Sequence, residues 1–382
     1  MHIYAAQLEQ GLVATDYIET GTSAAQSGIL EDMPRLDYSG GASCPALLLE
    51  PQRTNVLTHS EYFGGWGQIN TLNTANALIS PEGVQNANKL IAASGVNNNV
   101  INQQISAGTY TASVFAKKGE FEGLFIGSGP TGAFFNLNTH SYRTHYQSAP
   151  TSYKIEDYGN GWHRYSITFT ISGNDSLYIG PNDNVSNTLG VTGNNSNGIY
   201  IYGAQIEAGS YATSYIPNHG TSGGVTRAAD SCSVTGVSDV IGQTEGTLFF
   251  DVNISRVVGN EAIGTINSGA YANHATIQRV GSTIQFVRNS ATQSGATIVT
   301  SATITAGRYK LAIAYKSGDT ACFLNGAQVS TTQTQTFTNA TLNAVKIGTD
   351  AIGALPISDS VKQATLFKER LTNSELATLT TL

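Results

Sequence analysis

Apolar and polar residues alternate with a period of two through short segments that Gly and Asn interrupt. No stretch repeats its apolar positions at helical spacing. Residues 109–116 (Thr109-Tyr110-Thr111-Ala112-Ser113-Val114-Phe115-Ala116) and 163–171 (His163-Arg164-Tyr165-Ser166-Ile167-Thr168-Phe169-Thr170-Ile171) carry the pattern furthest. Successive side chains of an extended chain point to opposite faces, so each such run buries one face of a sheet. Residues 123–127, 176–179, 199–202, 246–252, 284–287, 309–315 and 320–324 are further strands by the same reading. Gly159-Asn160-Gly161 and Gly193-Asn194-Asn195 separate some of them. Asn325-Gly326 is a strong hairpin signal, because both central residues of that turn need φ > 0. Near the end the character changes: residues 371–379 predict a short helix capped by Asn373 or Ser374.

The composition fits short strands joined by many turns. Only 12% of residues are charged, against roughly 25% in an ordinary soluble domain. The 41 Gly and the abundant Ser, Thr, Asn and Gln suit turns and compete with a helical backbone for hydrogen bonds. A chain of 382 residues is long for one core and comfortable for two. A net charge of −7 without a Lys/Arg cluster argues against nucleic acid. No apolar run reaches ~18 residues, so no membrane-spanning segment is expected, and Met1-His2-Ile3-Tyr4 does not open a secretory signal. Cys44, Cys232 and Cys322 are odd in number and widely spaced. They read as buried or incidental thiols, in keeping with synthesis in a reducing cytoplasm.

A long-range repeat organises the chain. Ile3-Tyr4-Ala5-Ala6-Gln7-Leu8-Glu9-Gln10-Gly11 with Ala14-Thr15-Asp16-Tyr17-Ile18 returns as Ile201-Tyr202-Gly203-Ala204-Gln205-Ile206-Glu207-Ala208-Gly209 with Ala212-Thr213-Ser214-Tyr215-Ile216. Both copies lead to an Arg near an Asp, Arg35 with Asp37 and Arg227 with Asp230. The second copy closes a module, so the first reads as the last strand of a preceding repeat, left to pair elsewhere, with a flexible arm as the alternative. The expected division is 1–44 N-terminal strand and connector, 45–217 first sandwich, 218–230 linker and 231–382 second sandwich.

Three ordered blocks carry a resemblance. Glu50-Pro51-Gln52-Arg53-Thr54-Asn55-Val56-Leu57 with Ser60-Glu61-Tyr62-Phe63 and Trp66 resembles the opening of jelly-roll modules in phage tail-fibre and structural proteins. Residues 157–165 (Asp157-Tyr158-Gly159-Asn160-Gly161-Trp162-His163-Arg164-Tyr165) resemble their middle strand, and residues 202–209 through 226–230 their closing block. These modules look like relatives of carbohydrate-binding jelly rolls. Residues 309–315, 324–326 and 366–376 are similar to concanavalin A-like/laminin-G-type sandwiches. The fold class implied is all-β: two tandem β-sandwich (jelly-roll) domains with an N-terminal strand and connector and a short C-terminal helix. The function implied is a phage virion appendage that presents glycan- or receptor-binding surfaces. Its partners would be a host cell-surface glycan or receptor and other virion proteins, and it would assemble as a homotrimer. A structural head-fibre, decoration or baseplate component and a polysaccharide depolymerase are the alternatives.

For catalysis the sequence offers little. The 7 His residues never pair at ligand spacing on a helix, and neither a Gly-x-Ser-x-Gly elbow nor a phosphate loop occurs. Glu120-Phe121-Glu122 is the nearest approach to a carboxylate pair, yet it borders a turn and reads as a solvated hairpin tip. Binding is therefore the expectation. Sugars are held by aromatic faces and planar polar groups, which makes Trp66, Trp162 and Tyr153 the candidate ligand residues, although a core role competes at both tryptophans. Arg53, Asn55, Gln205, Glu207, Arg227 and Asp230 are expected to be structural, the arginines bracing a connector. No cofactor is expected. The laminin-G-type resemblance makes Asp251, Asp319 and Asp350 candidate calcium ligands, without the dense Asp/Asn loop that would mark such a site.

Overall fold

Every run of period-two alternation singled out above is a strand in the computed structural model, which describes residues 34–38, 44–290, 297–338 and 340–382. The strand expected at residues 3–18 lies outside them. The chain divides into two units, one holding residues 53–227 and the other residues 228–382 together with residues 34–38 and 44–52.

In the N-terminal unit two antiparallel sheets share a core. The first runs Ser152–Asp157, His163–Ile171, Gly108–Lys117, Gly198–Ala208, Arg53–Asn55, Val225–Arg227, and Gly198–Ala208 also pairs with Ala87–Ala92, which pairs with Thr71–Leu78. The second runs Ser141–His145, Thr131–Asn136, Gly123–Ser128, Asp175–Asn182, Val100–Ile105, Gly67–Ile69. Val114, Ala116, Tyr165, Ile167 and Ile206 from one sheet meet Leu124, Ile126, Phe135, Leu177 and Ile179 from the other, all essentially inaccessible to water. Burying each large aliphatic or aromatic side chain here contributes about 1.5–3 kcal/mol.

A bulge in Gly198–Ala208 sets what faces outward. The register against Gly108–Lys117 slips between Tyr202 and Gln205. One inserted residue reverses the alternation. Ile199 and Ile201 point into the core before the slip and Ala204 and Ile206 after it, while Tyr202 joins Phe115 and Trp162 in a separate cluster. Gly203 makes the bulge feasible: its φ is +56°, and a Cβ there would lie 3.0 Å from the Phe115 ring and 3.1 Å from the Tyr215 ring.

The C-terminal unit is also a sandwich. Its seven-stranded sheet runs Leu36–Asp37, Ala46–Leu49, Asp359–Phe367, Glu245–Ile254, Gly307–Lys316, Ala321–Leu324, Ala327–Gln328. Facing it are Cys232–Thr235, Ala344–Ile347, Asn260–Asn267, His274–Val280, Thr283–Asn289 and Thr297–Thr300. Phe250, Val252, Ile266, Ile277, Phe286, Leu311 and Ile313 fill the space between. Asn325 (φ 49°) and Gly326 (φ 84°) form the expected two-residue turn. The helix Asn373–Thr380 packs on Phe249, Ala312 and Phe323 through Leu376.

Three expectations are corrected. Ala46–Leu49 does not open the first sandwich: Leu47 and Leu49 pair with Val361 and Asp359, so this apolar strand belongs to the C-terminal unit. Residues 218–227 are not a free linker, because Val225–Arg227 hydrogen-bonds along Arg53–Asn55 within the N-terminal sheet. The helix cap is Thr372, whose side chain accepts from the Glu375 amide while Glu375 accepts from the Thr372 amide, one residue before the expected position.

Candidate functional site

Residues of the three sequence blocks converge under one loop, on the outer face of the first sheet, where they fix structure. Gln205 and Glu207 point outward after the bulge and are fully buried beneath residues 209–218. The Gln205 amide accepts from the Ile216 N–H (2.5 Å) and donates to the Ser214 carbonyl (3.4 Å). Glu207 accepts from the Thr213 N–H (2.9 Å) and hydroxyl. Asn55 donates to Ser60 Oγ and the Ile216 carbonyl (2.8 Å each) and accepts from the Leu57 and Ile206 amides (3.2 and 3.1 Å). Glu61, 4% exposed, accepts from the Tyr202 and Tyr215 hydroxyls (3.2 and 3.0 Å). Burial pushes its pKa up, partly offset by His219 and the two phenols.

Arg53 and Arg227 face each other across the ladder. Arg53 lies over the Tyr211 ring (4.7 Å), and Arg227 donates to the Ser214 carbonyl (3.4 Å). Asp230 belongs to the C-terminal unit, where it accepts from Arg35 and from the Glu50 amide (2.7 Å), and Arg35 also donates to Glu50 Oε2 (2.7 Å). The Arg–Asp link thus joins Arg35, not Arg227, to Asp230.

Both tryptophans are core residues. Trp66 is 4% and Trp162 2% exposed, and their indole N–H groups donate to the His59 carbonyl (2.8 Å) and the Ile79 carbonyl (3.0 Å). Neither presents a face that a ligand could stack on, which corrects the expectation for both.

Tyr153 is different: half of its surface, 51%, is exposed. It sits on the edge strand Ser152–Asp157 opposite Ile167, so its side chain leans toward the space between the sheets. Tyr142, on the edge strand of the other sheet and opposite Phe135, leans to meet it. The two rings stack with centroids 4.4 Å apart and an interplanar angle of 12°. Phe135 meets both edge-on from the core side. Neither tyrosine hydroxyl has a protein hydrogen-bond partner among the described residues. Burial and the neighbouring Tyr153 raise the Tyr142 pKa, so the Tyr142 phenol stays protonated at neutral pH.

The same seam continues into an imidazole pair. His140 and His163 stack with centroids 3.5 Å apart at 10°. His140 takes a positive φ of 50° in the hairpin before Ser141–His145, a turn in which Asn136 Oδ1 accepts from the Asn138 and Thr139 amides. His140 Nδ1 lies 3.1 Å from the Tyr165 hydroxyl, and His163 Nε2 lies 3.8 Å from Asp157. Burial lowers the His140 pKa, His163 and Lys118 lower it further, and Asp157 works against them. His140 is therefore largely neutral at pH 7, and the stacked pair is a donor–acceptor surface beside an aromatic one. Sequence reading found Tyr153 and missed Tyr142, His140 and His163. His163 and Tyr165 are two apart on one strand and share its face, whereas His140 lies in the turn before Ser141–His145, so spacing did not link it to Tyr142.

Other candidates do not converge. Glu120 pairs with Lys89 (2.9 Å) and accepts from the Gly198 amide (3.0 Å), whereas Glu122 pairs with Lys118 (3.4 Å). The suggested calcium ligands are committed separately. Asp251 is held by Arg308 through two bonds (2.9 and 2.5 Å), Asp319 by Arg370 (2.8 Å), and Asp350 by the Tyr271 hydroxyl and the Ile352 and Ala354 amides (3.1 and 2.7 Å). They do not form a calcium site, and among the described residues no three His, Cys, Asp or Glu side chains are placed to hold a metal. Cys322 is buried, Cys232 partly so and Cys44 exposed, all as free thiols.

No protein-family model and no curated protein matches the chain. Among solved structures it is similar to the CBM40 of the Ruminococcus gnavus IT-sialidase bound to alpha2,3 sialyllactose, at 14% identity over 40% of this chain and 97% of that one, TM-score 0.33. It is similar also to the NanB sialidase from Streptococcus pneumoniae, at 13% identity over 38% of this chain and 26% of that one, TM-score 0.33. A third is the heptameric SAP-like pentraxin from Limulus polyphemus, at 15% identity over 35% and 69%, TM-score 0.29. These likenesses are distant.

Proposed function

We propose that this chain is a non-enzymatic attachment protein that binds glycans at the Tyr142–Tyr153 seam, as part of a phage tail fibre or spike. One observation carries the glycan reading: a stacked tyrosine pair, with Tyr153 half exposed and Tyr142 partly so and neither hydroxyl bonded among the described residues, is held on two strands of a packed sandwich. Aromatic faces bind the C–H faces of sugars, and phenol and imidazole groups beside them supply hydrogen bonds that fix orientation. Rigid mounting lowers the ordering cost of binding. The virion role and trimeric assembly rest on the resemblance of the three sequence blocks, with a structural spacer as the alternative.

Retention on host cell-surface polysaccharide tests the reading. The wild type should be retained and should release no new reducing ends. The Tyr142→Ala/Tyr153→Ala variant should lose retention at least ten-fold while keeping its circular dichroism spectrum. No retention of the wild type would leave the spacer role, and new reducing ends would establish a depolymerase.

A further inference from the structure

A second recess lies in the C-terminal unit, far in sequence from the tyrosine seam. It is an open cavity of about 520 Å³ with Phe337 as its floor and Ser238, Asp239, Thr244, Ser317 and Thr341 around its rim. The walls are braced from behind. The Gln243 amide donates to the Ser238, Ile241 and Leu342 carbonyls (3.0, 3.1 and 2.9 Å) and accepts from the Leu342 amide (2.9 Å), tying both sides of the mouth together. The Phe337 amide donates to Ser317 Oγ (2.9 Å).

The floor is fixed from inside by a buried cation. Arg288 is fully buried, donates to the His274 carbonyl (3.0 Å) and stacks its guanidinium 4.1 Å from the Phe337 centroid, with Tyr315 on its other side at 5.7 Å. Among the described residues Arg288 has no carboxylate partner. A desolvated cation is attracted to the face of an aromatic ring, so Arg288 holds this ring in place.

The lining selects a chemical class. Hydroxyls predominate, with one carboxylate, one aromatic ring and no lysine or arginine. Asp239 repels anions and accepts from hydroxyl pairs. A recess of this size holds on the order of one or two sugar rings, and its mixture of hydroxyls with apolar surface suits their polar edges and C–H faces. We infer that the recess is a binding site for a neutral mono- or disaccharide unit, separate from the tyrosine seam. Two such sites on one chain would multiply retention on a polymeric glycan through effective concentration.

An array of neutral and of sialylated or uronic oligosaccharides, probed with the full chain, tests this. The Tyr142→Ala/Tyr153→Ala variant removes the first site, so any neutral glycan it still retains reports on the second. That residual binding should fall at least ten-fold on adding Asp239→Ala, and likewise on adding Thr341→Trp, which fills the recess. Both substitutions are at exposed positions, and an unchanged melting temperature would show that the fold persists. Acidic glycans should not be retained by the double tyrosine variant. If that variant retains no neutral glycan, the inference is overturned while the reading of the seam stands. Residual binding that survives both added substitutions overturns it too. If wild type and tyrosine variant bind neutral glycans equally and the Asp239 variant does not, the seam reading fails and the recess stands.

Discussion

Asn55 shows how a single amide can hold a loop shut. Its two donors and its acceptor serve four partners, from Leu57 and Ser60 nearby to Ile206 and Ile216 across the sheet, and none of its surface reaches water. An alanine there leaves buried groups unsatisfied, at roughly 1–3 kcal/mol each. Asn55→Ala should therefore destabilise the N-terminal unit by about 3 kcal/mol. Both tryptophans, Trp66 and Trp162, lie in that unit, so the urea transition followed by tryptophan fluorescence reports on it alone. A midpoint unchanged from wild type would show that the loop is held by other means. Legibility at this scale was uneven. Tyr153 was readable because it sits on a polar edge strand where an aromatic has little core to fill. Trp66 and Trp162 have the side chain most suited to stacking on sugars, but their backbone-bonded indoles pin strands. His140 and His163 meet only because a turn of one sheet comes against a strand of the other, which no local spacing encodes.

Among the elements, strands such as Gly108–Lys117 and His163–Ile171 were legible from their alternation, whereas the equally buried Thr131–Asn136, Asn260–Asn267 and His274–Val280 were not singled out, nor were exposed strands. Thr71–Leu78 has the sequence TLNTANAL and is largely exposed, so it has no alternation to read. It is a strand because it pairs with Ala87–Ala92. Gly198–Ala208 was legible as a strand but its bulge was not, since the reversal of phase becomes meaningful only once Phe115 and Tyr215 are seen against Gly203. Gly203→Ala would place a methyl group 3.0 Å from Phe115 at a positive φ that only glycine adopts cheaply. The expected loss is about 2 kcal/mol in the same fluorescence-monitored transition. The loop anchored by Gln205 and Glu207 should loosen with it, read as faster amide exchange at Thr213 and Ile216. Wild-type stability would mean that the bulge relaxes at no cost.

For the whole molecule, local pattern gave the number and class of the two sandwiches and not the path between them. Leu47-Leu48-Leu49 is as apolar as a first-module strand would be, and its partner, Asp359–Phe367, lies near the other end of the sequence. Partner choice over that separation is a tertiary matter. The C-terminal sandwich also carries two buried groups whose titrations oppose one another. Burial, with Arg288 adding to it, depresses His274 from 6.5 to about 4, so its contribution to stability grows as pH rises through that window. Burial raises Asp359 from 3.8 to about 6, against the hydrogen bonds from Ser255, so its contribution shrinks as pH rises between those values. Each effect is roughly 3 kcal/mol, and together they leave a nearly flat profile between pH 4 and 6. His274→Gln should expose a stability that falls with rising pH, and Asp359→Asn one that increases. The calorimetric transition to which tryptophan fluorescence is blind would show this, and parallel profiles for the two variants would contradict it. The most direct test of attachment is calorimetric titration of a host polysaccharide that retains the wild type into Tyr153 and its Phe, Trp and Ala replacements. A stacking platform requires Tyr153→Trp to bind at least as tightly as wild type, Tyr153→Phe within several-fold and Tyr153→Ala at least ten-fold more weakly. Equal affinity in all four would mean that the seam does not touch the glycan.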